Sequence, residues 1–340
     1  MAYNNRQPEF KQLLKVLEGG IPDRDVLFEL FMGDQVYEHV VGPLPKDNPL
    51  DWTRAMIKAF SSLGYDYATV NGSNYCFPRK NNYHGAQTIS LNESPVITDR
   101  ASFAAYQWQD PKAADYSRLR DIGPDLPGGM KLMVMGPGGV LENVIRLVGY
   151  DNLCFMLYDD EQLLWDIFER VGSGLVEYYR RSMEYDSVGL LMSNDDWGFK
   201  SQTMISPKAM RKYVFPWHRE IVKAAHAAGK PAVLHSCGWF EGIVDDIIGM
   251  GYDGRHSYED TIMPVERAYE LLAGKMAVLG GIDLHFLCSA TPERIRERSR
   301  NMLDRAGQRG GYALGSGNSI PGYCPIDSYL AMISVVDGRI

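Results

Sequence analysis

A short β-rich run, a glycine or polar end and then an amphipathic helical stretch recur eight times along the chain, and no other feature limits the fold as much. The runs are 26–32, 65–70, 131–135, 187–192, 231–235, 252–256, 276–280 and 311–314. Most are too short for helices, and glycines bound several. The intervening stretches carry helix signals. Residues 51–63 are apolar at helical spacing and end at Gly64, a C-cap. Ser206-Pro207 and Thr291-Pro292-Glu293 each put an N-cap before a proline at the first helical position. Strands alternating with helices make a parallel sheet with right-handed crossovers. Eight such units in a chain of 340 residues predict a (β/α)₈ barrel of TIM type, class α/β.

Two stretches interrupt the repeat. Residues 72–129, rich in Asn, Tyr, Pro and Asp, form a long insertion after the second strand, with a helix expected near 102–108. Insertions at such a position build active-site walls or lids. Residues 159–185 read as one long helical segment. Neither resembles a linker, so residues 1–340 are expected to form one domain, with 1–24 as an N-terminal helical extension.

Composition removes several function classes. A net charge of -8 argues against a nucleic-acid binder, which needs a basic stripe. No apolar run reaches the ~18 residues that span a bilayer. The first residues lack the layout of a secretory signal. Five scattered cysteines make no disulfide framework, so a cytoplasmic setting is expected.

In a barrel of this kind, reactive groups sit where strands end and βα loops begin. The polar residues gather there: Asn71 after the second run, Asn194, Asp195 and Asp196 after the fourth, His235 and Cys237 after the fifth. His256 and Glu259 end the sixth, Asp283 the seventh, Ser316 and Asn318 the eighth. Six polar strand ends on one face make a site. His235 and Cys237 are two residues apart, so a strand can aim both at one ion, and imidazole and thiolate suit zinc. The competing reading is a core thiol beside a hydrogen-bonded histidine. His256 is read as a third ligand, a proton donor or a substrate contact, and Cys324 as a further ligand or a packed core thiol. Asp195 and Asp196 repel one another, so at least one should face the site. Asp283, after Gly280-Gly281-Ile282, has the same geometry. Asn71, Glu259 and Asn318 are the expected substrate contacts. Gly136-Pro137-Gly138-Gly139 and Gly315-Ser316-Gly317-Asn318 match no nucleotide-binding fingerprint.

The series Asn194-Asp195-Asp196-Trp197-Gly198, Ile205-Ser206-Pro207, Leu234-His235-Ser236-Cys237-Gly238 and Leu279-Gly280-Gly281-Ile282-Asp283, with the segment 315–332, resembles the uroporphyrinogen-decarboxylase superfamily. True decarboxylases of that superfamily carry an arginine-rich N-terminal motif that grips porphyrinogen carboxylates. The corresponding stretch here, Phe28-Glu29-Leu30-Phe31-Met32-Gly33-Asp34, has no arginine. The resemblance therefore points to the branch of corrinoid (cobalamin)-dependent methyltransferases, which includes O-demethylase enzymes.

That branch implies methyl transfer between a small methylated substrate, such as an aryl methyl ether or a methylamine, and the cobalt of a partner corrinoid protein. Many members hold Zn²⁺ with a His-x-Cys pair and a later cysteine, and His235 and Cys237 match the pair. The later cysteine falls near Asn318, not at Cys324. A bacterial subgroup uses Glu and His ligands, for which Glu220, His235 and His256 have a suitable spacing, although Glu220 belongs to an outer helix. Asp195, Asp196, His256 and Asp283 are the expected catalytic groups. The rival reading is a metal-free lyase acting on a small carboxylic acid. No cobalamin-binding module is recognisable in the chain, and the sequence leaves a homodimer open.

Overall fold

The computed structural model describes residues 6–79, 91–92 and 94–336. Its centre is a curled sheet of seven parallel strands in sequential order. They are β1 (Tyr67–Asn71), β2 (Lys131–Met135), β3 (Val188–Asn194), β4 (Ala232–His235), β5 (Gly254–His256), β6 (Ala277–Leu279) and β7 (Tyr312–Ala313). Seven of the eight expected runs thus became strands. The first, 26–32, makes only isolated parallel bridges, Leu27 with Leu314 and Met32 with Ile320. It lies against β7, with Phe28 N–H donating to Leu314 O at 2.7 Å and Leu314 N–H to Val26 O at 2.8 Å. On its other side it meets β1 through side chains, the Phe28 and Tyr67 rings lying 5.4 Å apart. The arrangement is consistent with a TIM-type barrel.

Local chemistry explains the helices. Asn48 caps Pro49–Leu63 by accepting from Leu50 N–H, and Gly64 ends that helix in the left-handed conformation at φ 94°. Ser206 caps a helix that starts at Pro207, passes through a π-turn at Met210–Val214 and continues as Phe215–Ala227. Thr291 opens Pro292–Ala306. The segment 159–185 contains Glu161–Ser182, capped by Asp160. Between β1 and β2 the expected helix is Arg100–Ala105, started by an Asp99–Ser102 capping box. Residues 80–90 and 93 of the expected insertion, and 1–5 of the expected N-terminal extension, lie outside the described residues. Among the described residues no helix is long and apolar enough to cross a membrane.

The strands are buried on both faces, as parallel strands under helices must be. Their C-terminal ends all point the same way, and polar side chains begin there.

Candidate active site and metal centre

Register brings the site together. In the parallel ladder His235 pairs with Asn194 on one side and with His256 on the other. Alternation along β3 then separates the two adjacent acids. Asp195 turns into the protein. It is fully buried and accepts from Leu141 N–H and Glu142 N–H at 2.9 Å and from His218 Nε2 at 2.9 Å. It therefore caps the helix Val140–Val148, and its expected catalytic role finds no support in that position. Asp196 turns the other way. Its Oδ1 accepts the Cys237 N–H at 2.8 Å and lies 4.0 Å from His235 Nε2.

His235 Nε2, Cys237 Sγ and an Asp196 carboxylate oxygen lie within 4.8 Å of one another. Nitrogen, sulfur and oxygen donors gathered at this spacing match the ligand chemistry of zinc. Orientation adds to the fit. His256 Nε2 sits 3.1 Å from the Ser316 carbonyl, which can only accept, so that nitrogen carries the proton. Its Nδ1 is then an acceptor, and His235 Nδ1–H donates to it at 2.8 Å. The Nε2 lone pair of His235 is left pointing at Cys237 Sγ, 3.6 Å away. Both rings are neutral, because burial pushes His235 down to about 3 and His256 well below its usual range. Such an outer partner fixes the tautomer of a metal-binding histidine.

The expectation of His256 as a ligand is corrected by this geometry: both of its ring nitrogens are engaged behind His235. Glu220 is also out of reach, exposed on its helix and bonded to Lys223 at 2.6 Å. Cys324 is buried beside Pro325 and Cys288, outside the three-residue cluster. Asn318, by contrast, lies where the third cysteine was expected, its Nδ2 donating to Cys237 Sγ at 3.3 Å. Ser257 Oγ completes the surroundings of that sulfur at 3.6 Å. Burial raises the Cys237 thiol well above its ordinary range, so a cation is what would ionise it.

Asn318 also lines a cavity of about 380 Å³ whose walls include Tyr258, Glu259, Asp283, His285 and Tyr323. Burial, and then the charge of Asp283, raises the Glu259 carboxyl. Asp283 additionally caps Leu284–Ser289 and accepts Asp260 N–H at 2.9 Å. Asn71 is exposed at the end of β1 and is not part of this cavity's wall.

Ser316 does more than end a strand, because its carbonyl sets the histidine tautomers. Two further residues lie outside the sequence expectations. Glu29 is fully buried and holds Ser316, accepting from its Oγ at 2.7 Å and its N–H at 3.2 Å. Arg255 is fully buried behind the cluster. For Glu29 the available signal is a carboxylate inside the apolar run 26–32; Arg255, between Gly254 and His256, carries no such signal.

Comparisons with known proteins agree with this architecture. The family model described as uroporphyrinogen decarboxylase (URO-D) matches residues 127–339. Methylated-thiol–coenzyme M methyltransferase of Methanosarcina mazei is 22% identical over 159 residues, 46% of this chain and 41% of the relative. Uroporphyrinogen decarboxylase of Syntrophotalea carbinolica is 24% identical over 181 residues, 53% of this chain and 50% of the relative. The matches thus span about half the length of these curated relatives or less. Among solved structures, a methyltransferase from Methanosarcina mazei superposes with a TM-score of 0.71, covering 97% of this chain and 98% of that one at 16% identity. The family match covers more than half of the chain, spanning β2 to β7 and the donor cluster: the protein belongs to the uroporphyrinogen decarboxylase (URO-D) family.

Proposed function

We propose that this protein is a methyltransferase that moves a methyl group between a small methylated substrate and a corrinoid protein, with zinc held by Asp196, His235 and Cys237. The observation that carries the reading is the freed Nε2 lone pair of His235, aimed at a thiol and a carboxylate at adjoining strand ends. Similarity to a methyltransferase of Methanosarcina mazei by sequence, and to a methyltransferase from the same organism by fold, supports it.

The cavity beside Asn318 receives the methylated substrate, and the whole chain acts as one barrel unit with run 26–32 as its eighth stave. Of the stretch between β1 and β2, Tyr75 stacks on Tyr178 at 6.2 Å, and Gln109 accepts from Cys76 N–H at 3.0 Å. The methyl carbon would pass from the substrate's oxygen, sulfur or nitrogen, which keeps the bonding pair, to a reduced corrinoid, which would provide the pair for the new bond. Zinc held by Asp196, His235 and Cys237 would supply Lewis-acid stabilisation of the leaving atom. Glu259, whose carboxyl is raised by burial and then by the charge of Asp283, stands on the cavity wall as the group that exchanges a proton with the same atom. Asn318 orients the substrate between the cavity and Cys237.

The lyase alternative fits less well. A carboxylate substrate would enter a cavity beside Asp283 whose walls, among the described residues, contain no Lys or Arg. The test is to mix the purified protein with cob(I)alamin and aryl methyl ethers, methyl thioethers or methylamines, and to follow the cobalt–methyl spectrum. Methylation that Cys237→Ala abolishes supports the proposal. Metal-independent loss of CO₂ from a small acid, with no methyl transfer from any donor, would replace it.

A further inference from the structure

Arg255 is the largest charged side chain with no solvent exposure, and it pairs with no carboxylate among the described residues. Its neighbour His256 occupies the opposite face of β5, as alternation requires. The guanidinium lies over the Phe240 ring at 3.7 Å from the centroid and beside the Tyr258 ring at 5.0 Å. One arm donates to Ser257 O at 2.6 Å and the other to Ser236 O at 2.9 Å. Its Nε finds no partner among the described residues.

A buried cation without a counter-charge is costly, and an apolar side chain would fill the space between Phe240 and Tyr258 more cheaply. What an apolar residue cannot do is tie two carbonyls together. Those carbonyls belong to Ser236, immediately before Cys237, and to Ser257, whose Oγ touches the Cys237 sulfur. The rigid fork of an arginine spans both at once, and a lysine ammonium has no such fixed geometry.

We propose that Arg255 is a positioning residue for Cys237, clamping the ends of β4 and β5 so that the thiol is held against His235 and Asp196. The two consecutive residues of β5 then divide the work on the donor that ends β4 and the donor in the loop after it. His256, on one face, fixes the tautomer of His235; Arg255, on the other, fixes the loop that carries Cys237.

This inference rests on the reading of Cys237 as a metal donor, but its test does not require metal. In protein stripped with chelator, the rate of iodoacetamide modification is measured at each cysteine by peptide mass, with exposed Cys76 as the internal reference. In folded Arg255→Lys, Cys237 should react at least ten-fold faster than in wild type while Cys76 is unchanged. Zinc affinity, measured by chelator competition, should weaken by a similar factor, and the cobalt(II)–thiolate absorption band should shift. Wild-type modification rates in folded Arg255→Lys would overturn the clamp. If Arg255→Lys does not fold, Phe240→Ala removes the ring that orients the guanidinium. It should accelerate modification of Cys237 several-fold, and an unchanged rate there also overturns the proposal. A wild-type protein that binds no zinc would contradict the metal reading alone, leaving the modification result to decide the role of Arg255.

Discussion

Proton placement decides what His235 can do. Its Nε2 is free because Nδ1–H has an acceptor, and that acceptor exists because Ser316 O holds the proton on the far side of His256. His256→Phe keeps a ring of similar size but removes the acceptor. Zinc affinity measured by chelator competition should then fall about 10–100-fold, and an unchanged affinity would show that the tautomer is set elsewhere. Glu29, one step further back, gives a pH signature. Burial raises its carboxyl from an ordinary 4.5 to about 8, so the folded state holds a proton that the unfolded chain releases. Its contribution to stability is complete below pH 4.5 and is lost as pH rises through 8. Glu29→Gln should gain stability relative to wild type between pH 6 and pH 8, read by urea unfolding at the two values. A constant difference would place an ionised carboxylate at this position.

At the scale of elements, the loops after β3 and β4 are joined by backbone. Trp239 N–H donates to Phe199 O at 2.8 Å, and Asp196 holds Cys237 N–H. Gly238 makes this approach feasible: at φ 87° a Cβ would lie 2.0 Å from Gly198 O. Gly238→Ala should cost roughly 1–3 kcal/mol in urea unfolding and displace Cys237 from the cluster; a variant as stable as wild type would mean that the loop relaxes freely. These elements also mark how far the sequence could be read. His235-Ser236-Cys237 was legible because strand periodicity alone aims both donors one way. Asp195 and Asp196 were not separable, since the direction of each depends on the twist at the end of β3. The role of His256 was hidden because its partner, Ser316, lies 60 residues away and meets it only through barrel register.

The whole molecule depends on the seam between the first run and the last strand. That run was legible as a strand, but only its closest contacts have strand geometry, since it is squeezed between β7 and the aromatic side chains of β1. Gly315 fits the seam tightly, with an added Cβ falling 1.6 Å from Phe28 O. Phe28 itself is fully buried and packs on Tyr67 and on His256, at 5.4 and 5.6 Å. Phe28→Ala should destabilise the protein by about 3–5 kcal/mol and loosen the histidine pair, so unfolding midpoint and zinc affinity should fall together. A loss of stability with full zinc affinity would separate the seam from the site.

Elemental analysis of protein purified from zinc-supplemented growth tests whether Asp196, His235 and Cys237 form a zinc centre. Close to one zinc per chain is expected in wild type, with the metal lost from folded His235→Ala and Cys237→Ala and weakened in Asp196→Asn. A folded wild-type protein without zinc, or one whose zinc survives both His235→Ala and Cys237→Ala, would contradict it.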